Sequence, residues 1–305
     1  MQVTLDDLLR QKEEIENQIT ELTAEESKIV IVLDEAERER QHQEDLQRIR
    51  GFRLFDDDFM NVCFDGYIEG TELLLKIILN KPDIRVKRVT TQRVMKNLLG
   101  RDIWLDIEAV DSQGKIYNIE IQRADRGAGY KRARYHSSIL DAHALQPKGK
   151  FNDLPESYVI FITENDVIGK GMPLYLIERR IVNIDEPFDD GSHIIYVNGA
   201  QKDAATELGK LMHDFSCTSA DDMYYSELAD KVRYFKEDEK GLDAMCKVIE
   251  DMRKETAQKT REQTQVINIK TIMSKMKFTV EQAMDLLDIP QAEQADYAKL
   301  VQEKM

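Results

Sequence analysis

The feature that most constrains the fold is a pair of alternating apolar and polar segments, residues 102–110 and 116–122. The short segment between them reads Asp-Ser-Gln-Gly-Lys (111–115), a composition typical of a tight turn. Strict alternation of this kind is the pattern of a β-strand with one buried face. The sequence therefore predicts an antiparallel hairpin, and we centre its turn on Gln113.

This register decides which side chains share a face of the hairpin. Asp106 is expected opposite Glu120, and Trp104 opposite Gln122, all on one face. A slip of one residue would separate the two acids. The other face is expected to be apolar and to pack against helices; it carries Leu105, Ile107, Ala109, Tyr117, Ile119 and Ile121.

The two opposed acids indicate a cation site. Directly opposed side chains have Cβ atoms about 4.5–5.5 Å apart, so the carboxylates of Asp106 and Glu120 repel each other unless a cation lies between them. Their hard oxygen atoms suit Mg²⁺, with Mn²⁺ or Ca²⁺ as further options. The alternative interpretation is a pair of solvated acids on an exposed strand face, and the hairpin alone leaves it open.

Basic side chains follow the hairpin onto a predicted helix over residues 129–145. They are Arg123, Arg126, Lys131, Arg132 and Arg134. Helix N-termini and basic side chains both favour phosphate groups. Tyr135 lies on the same helix, whereas His136 is interpreted as a surface residue. A cation held by two acids beside this helix would polarise a phosphoryl oxygen and activate water, which indicates phosphodiester hydrolysis.

The charge is distributed unevenly along the chain. The net charge is −15, which taken whole opposes binding to nucleic acid. Residues 1–50 hold 7 basic and 14 acidic side chains, whereas residues 81–134 hold 13 basic and 7 acidic ones. The middle of the chain is therefore the part expected to face a polyanion.

The remaining elements predict an α/β protein with helical ends. Further strands are predicted over residues 84–92, 157–163 and 193–197, and further helices over 203–215 and 222–265. We divide the chain into a helical N-terminal extension (1–50), a core (51–220) and a helical C-terminal region (221–305). Leu8, Ile15, Leu22 and Ile29 recur every seven residues, which indicates either a coiled coil or an amphipathic hairpin on the core. Homo-oligomerisation through these extensions is left open.

The sequence carries no sign of a membrane protein. The longest unbroken apolar run is Ile29–Leu33, far shorter than the ~20 residues of a membrane span. The three cysteines, Cys63, Cys217 and Cys246, are scattered and form no CxxC motif. We therefore expect a cytoplasmic protein without a membrane partner.

The motifs in their order along the chain point to a known family. Asp106 on one strand is followed by Glu120-Ile121-Gln122 on the next and then by a basic helix with Arg132 and Tyr135. Further matching segments are residues 55–61, 158–166 and 193–199. Together they resemble the PD-(D/E)XK nuclease family transposases, also called the recombination-promoting nuclease/putative transposase family, over about residues 51–255.

The resemblance implies a restriction-endonuclease-like core, with a mixed sheet flanked by helices, and a metal-dependent DNA endonuclease linked to mobile elements and recombination. It implies that Asp106 and Glu120 bind the metal. Gln122 stands where the PD-(D/E)XK nuclease superfamily usually has lysine. Its neutral amide still hydrogen-bonds water or phosphate. Asp57 best matches the acid that the superfamily places on its first helix, with Glu72 as the rival.

The sequence therefore predicts a Mg²⁺-dependent endodeoxyribonuclease whose partner is DNA. The predicted catalytic residues are Asp106, Glu120, Gln122 and Asp57. The residues predicted to contact DNA are Arg123, Lys131, Arg132 and Tyr135. Two alternatives stay open: a non-catalytic nuclease-fold module that binds DNA or protein, and a helical adaptor that acts through residues 1–50 and 222–305.

Overall fold

The structure is a computed structural model that describes residues 35–97, 100–123 and 127–303. The described residues up to Met245 form one compact unit, and those from Cys246 onward form a second. The predicted heptad pattern at Leu8–Ile29 lies outside the described residues. In the described ranges, no helix has both the length and the apolar character needed to cross a membrane.

The first unit is built around a mixed six-stranded sheet, which confirms the predicted α/β class. Its strands are β1 (Val86–Met95), β2 (Ile103–Asp111), β3 (Ile116–Gln122), β4 (Ser157–Thr163), β5 (Leu174–Ile177) and β8 (Ser192–Asn198). They lie in the order β1-β2-β3-β4-β8-β5. β3, β4 and β8 run parallel, whereas β1, β2 and β5 pair antiparallel with their neighbours. Two short strands, β6 (Arg180–Ile181) and β7 (Glu186–Pro187), form a separate ribbon.

Helices flank this sheet. The described helices up to residue 276 are α1 (35–51), α2 (Asp57–Phe64), α3 (Ile68–Leu79), α4 (Tyr130–Ala144), α5 (Glu207–Ser216), α6 (Ser226–Glu237) and α7 (Glu239–Met276), of which α7 continues from this unit into the second. α2 packs on β1 and β2, α3 packs on β1, and α4 packs on β4 and β8. The helix predicted over 129–145 is thus present, and its N-terminal end lies just after β3 in sequence.

The predicted hairpin is confirmed together with its register. Ile107 pairs with Ile119 and Ala109 with Tyr117, as a turn centred on Gln113 requires. The Asp111 carboxylate holds the turn, since its Oδ1 accepts hydrogen bonds from the amides of residues 113 and 115, at 2.8 and 3.0 Å. Gly114 takes a φ of +84°, a conformation that glycine adopts without steric cost. The predicted apolar face is entirely buried.

β4 is the most deeply buried strand of the sheet. All seven of its residues are buried, and it has a parallel partner on each side. A strand covered on both faces reads as a continuous apolar run rather than an alternating one, which explains why Ser-Tyr-Val-Ile-Phe-Ile-Thr was recognisable in sequence. The ends of β3 and β4 therefore provide a rigid platform for the candidate site.

The second unit has its own small apolar core. It contains α8 (Val280–Leu286) and α9 (Gln291–Glu303), and its buried residues include Ile269, Met284 and Tyr297. Thr279 caps α8: its hydroxyl accepts a hydrogen bond from the amide of Gln282, whose side chain accepts one from the amide of Thr279 in return.

Candidate active site

Glu120 is the most deeply buried member of the predicted acid pair. Its side chain has no exposed surface, and Arg132 Nη2 donates to its Oε2 at 3.0 Å. No described residue donates a hydrogen bond to its other oxygen, Oε1, which lies 3.5 Å from His136 Nδ1. A buried carboxylate oxygen without a donor is costly, so this atom needs a positive partner.

Asp106 lies beside Glu120 but is held differently. Its Oδ2 accepts a hydrogen bond from the Ile121 amide at 2.9 Å. The side chain thus takes the place of a backbone partner, and the ladder between β2 and β3 ends at the Ile107–Ile119 pair. The predicted opposition of Asp106 to Glu120, and of Trp104 to Gln122, therefore lies beyond the paired register.

Desolvation and the Glu120 carboxylate raise the pKa of Asp106 far above its usual range. The folded state therefore binds a proton that the unfolded chain has lost, from about pH 4 upward. Stability must fall with rising pH across that window, by about 1.4 kcal/mol per pH unit from this group. We expect Asp106→Asn to remove this slope in metal-free protein, measured by urea unfolding between pH 5 and 8. Equal slopes in both proteins would contradict the shift.

Asp57 reaches the site because the N-terminal end of α2 is tied to the ends of β3 and β4. Arg123 Nη1 donates to Asp56 Oδ1 at 2.7 Å, and Arg53 Nη1 donates to Glu164 Oε1 at 2.6 Å. The Arg53 amide also donates to Asp56 Oδ2, at 2.8 Å. Arg123, predicted to contact DNA, is thus engaged in positioning α2. Sequence analysis missed Asp56, Arg53 and Glu164 in this role.

The electrostatics link Asp57 to the acid pair. Desolvation and the Asp58 carboxylate raise the pKa of Asp57; Glu120 acts in the same direction and Arg132 opposes it. Asp57 in turn helps to raise the pKa of Asp106. Three carboxylates therefore share one environment that favours a bound positive charge.

Glu72, the rival to Asp57, lies in a different part of the fold. Its Oε1 accepts from Lys76 Nζ at 2.6 Å, and its Oε2 accepts from the Val86 amide at 2.9 Å. These contacts join α3 to the start of β1, and they lower the pKa of Glu72 despite partial burial. Of the two candidates, the structure places Asp57 next to the acid pair.

Gln122 lies at the end of β3 against Gly127. A Cβ at residue 127 would stand 1.7 Å from Gln122 Oε1 and 2.8 Å from its Cδ. Only glycine therefore leaves room for the amide in this position. Arg132 Nη1 donates to the Gly127 carbonyl at 3.1 Å, so the same glycine also anchors the arginine.

Arg132 and His136 occupy positions that sequence reasoning did not foresee. Arg132, predicted to contact DNA, lies between Glu120 and Gly127, and its Nε donates to His136 Nε2 at 3.3 Å. His136, interpreted as a surface residue, is only 3 % exposed. The other ring nitrogen of His136, Nδ1, lies 3.2 Å from Asn118 Nδ2 and 3.5 Å from Glu120 Oε1. One helical turn thus places both Arg132 and His136 beside Glu120.

A groove of about 1550 Å³ runs between the start of β2 and α4. Its lining includes Arg101, Trp104, Lys131, Arg134 and Tyr135. The Trp104 side chain is 60 % exposed there. Tyr135, predicted to contact DNA, donates from its hydroxyl to the Arg101 carbonyl at 2.5 Å and accepts from Asn97 Nδ2 at 2.8 Å, so it shapes the groove wall. The groove is basic and open, and Arg132 and His136 also line it.

The oxygen atoms of the acids are of the type that binds a hard divalent cation, but they do not surround a common point as the ligands of a bound ion do. Within the described ranges, three potential ligand atoms come within 4.8 Å of one another only at His213, Asp214 and Cys217. At the acid pair, Arg132 and the Ile121 amide hold the carboxylates instead. The unpartnered Glu120 Oε1 and the all-oxygen donor set nevertheless match Mg²⁺.

No family model, curated protein or solved structure matches the chain.

Proposed function

We propose that the protein is a metal-dependent DNA endonuclease. The observation that carries this proposal is the fully buried Glu120, whose Oε1 has no donor and which lies beside two further carboxylates. The basic groove next to it has a volume of about 1550 Å³ and carries an exposed tryptophan on which a base can stack.

Asp106, Glu120 and Asp57 would hold the cation. A bound Mg²⁺ supplies charge to the phosphoryl oxygen and lowers the pKa of an attacking water. Arg132 balances the charge of Glu120 in the metal-free protein; its side chain is 41 % exposed, so it can turn toward DNA phosphate when a cation takes over that role.

Gln122 would orient the attacking water. Its amide is neutral, so it stabilises no negative charge, but it both donates and accepts hydrogen bonds. Because lysine is absent at this position, a second candidate function is a nuclease-fold module that binds DNA without cutting it.

The test is nicking of supercoiled plasmid by the full chain in Mg²⁺, Mn²⁺, Ca²⁺ or EDTA. Nicking that requires Mg²⁺ or Mn²⁺ supports the endonuclease. DNA binding without nicking in any metal would favour the binding module, and the absence of both would refute each.

Gly127→Ala tests the role of Gln122 without altering that residue. The new Cβ would displace the Gln122 amide, and misplacement of a group by about 1 Å costs up to 100-fold in rate. We expect nicking to slow about 10- to 100-fold while the melting temperature changes little, since the amide is a flexible side-chain end. Gly129→Ala is the matched comparison, because nothing lies within 4 Å of its Cβ position. Equal rates in the two variants would refute a role for the Gln122 position.

A further inference from the structure

A second group of ligand-type side chains lies at the C-terminal end of α5, apart from the acid pair. His213 Nδ1 is 3.4 Å from Asp214 Oδ1 and 3.4 Å from Cys217 Sγ. The ligand atoms of the three residues all lie within 4.8 Å of one another. A nitrogen, an oxygen and a sulfur thus converge on one point.

Two of the three separations between these atoms are those of ligands on a tetrahedral ion. Zinc lies about 2.0–2.1 Å from nitrogen or oxygen ligands and about 2.3 Å from sulfur, so tetrahedral angles place the ligand atoms roughly 3.4–3.6 Å apart. Both distances from His213 Nδ1 equal 3.4 Å. The third separation, between Asp214 and Cys217, lies within 4.8 Å, and the two side chains would close around a bound ion.

The donor set selects the class of metal. Thiolate and imidazole favour zinc and its transition-metal neighbours, whereas Mg²⁺ and Ca²⁺ prefer oxygen atoms alone. This site would therefore not take the cation proposed for Asp106 and Glu120. The His213 side chain is 35 % exposed, which gives an ion access from solvent.

Each of the three residues also has a contact outside the group: the His213 ring packs edge-on against Tyr224 at 4.9 Å, and Cys217 Sγ lies 3.8 Å from the Asp222 carbonyl. Asp214 has a structural role, because its oxygens accept the amides of Tyr224 and Tyr225 at 2.8 and 2.9 Å. Those bonds hold Asp214 in place, as ligating carboxylates are usually held. They account for neither His213 nor Cys217.

A cysteine nucleophile does not fit this arrangement. A catalytic triad uses opposite nitrogens of its histidine, one toward the nucleophile and one toward the acid. Here Nδ1 of His213 is the nearer nitrogen to Cys217 and also faces Asp214.

We propose that His213, Asp214 and Cys217 bind one Zn²⁺ ion, with water as the fourth ligand. As the sulfur–zinc bond forms, the thiol proton passes to solvent. Through Asp214 the ion would join the end of α5 to the segment that leads into α6, and so stabilise the fold. The site is independent of the proposed nuclease activity.

Cobalt titration of the metal-free full chain tests this site. Co²⁺ replaces Zn²⁺ at thiolate sites and gives a thiolate-to-metal charge-transfer band, which Zn²⁺ then abolishes. We expect one equivalent of Co²⁺ to produce the band in the wild type, in Cys246→Ser and in Asp106→Asn. Cys217→Ser should lack the band, and His213→Gln should bind Co²⁺ at least about 10-fold more weakly.

A thermal measurement separates binding from misfolding. Metal-free Cys217→Ser should melt close to metal-free wild type, because its side chain is partly exposed. Zn²⁺ should raise the melting temperature of the wild type but not of Cys217→Ser. Absence of the band in the wild type, its persistence in Cys217→Ser, or its loss in Cys246→Ser would overturn the proposal.

Discussion

Glu120→Gln is expected to reduce metal-dependent plasmid nicking by at least about 10²–10³-fold. The substitution keeps the volume of the side chain but replaces a carboxylate oxygen with an amide nitrogen, which does not ligate Mg²⁺. Glu120 has no exposed surface, so no solvent-exposed acid can take over its position. Arg132, which loses its carboxylate partner, is exposed enough to turn to solvent. The variant should therefore fold and bind DNA while failing to cut it.

Glu72→Gln is the matched comparison for this variant. Glu72 is the other acid that the sequence offered, and its contacts with Lys76 and Val86 join α3 to β1 away from the acid pair. Preparations of both variants and the wild type should be assayed in parallel for initial nicking rate in Mg²⁺ and for melting temperature. We expect Glu72→Gln to keep most of the activity. Retained nicking in Glu120→Gln would refute the proposed site and point to a contaminating nuclease.

Lys236→Met is expected to lower the free energy of unfolding by about 3 kcal/mol. The Lys236 ammonium donates to the carbonyls of Arg50, Phe52 and Thr218, and it lies over the Phe59 ring. Burial lowers the pKa of Lys236 to about 8, so the group is still charged at pH 7. Methionine recovers the cost of burying that charge, but it removes the donor from three carbonyls, and this second effect is the larger.

Lys231→Met gives the matched comparison on the same helix. Its ammonium lies over the rings of Tyr67 and Phe235, a contact worth about 0.5–1 kcal/mol at an accessible site. Urea unfolding of the three proteins at pH 7 measures both losses. A loss in Lys236→Met no larger than that in Lys231→Met would show that the three carbonyls do not depend on this donor.

Local sequence patterns predicted the parts of the fold that depend on alternating hydrophobicity and on turn composition. The alternation in residues 102–122 and the Asp-Ser-Gln-Gly-Lys turn predicted both the hairpin and its register, because a period of two leaves one choice once the apolar face is buried. The continuous apolar run of β4 was equally recognisable. β5 was not, since its four residues become a strand through pairing with β8, far along the chain.

The placement of Asp106 beside Glu120 followed from the sequence alone, because both acids lie on one hairpin and local alternation sets their faces. Only the tertiary structure determined three other features of the site. They are the hydrogen bond from Arg132 to Glu120, the burial of His136 and the packing of Gln122 against Gly127. The tertiary structure likewise determined the Arg123–Asp56 hydrogen bond that positions Asp57, and it brought three carbonyls together at Lys236. From the sequence alone, a charged side chain is expected to be exposed to solvent. Only the packing of distant segments determines which charged groups are buried, and buried groups need hydrogen-bond or ionic partners within the fold.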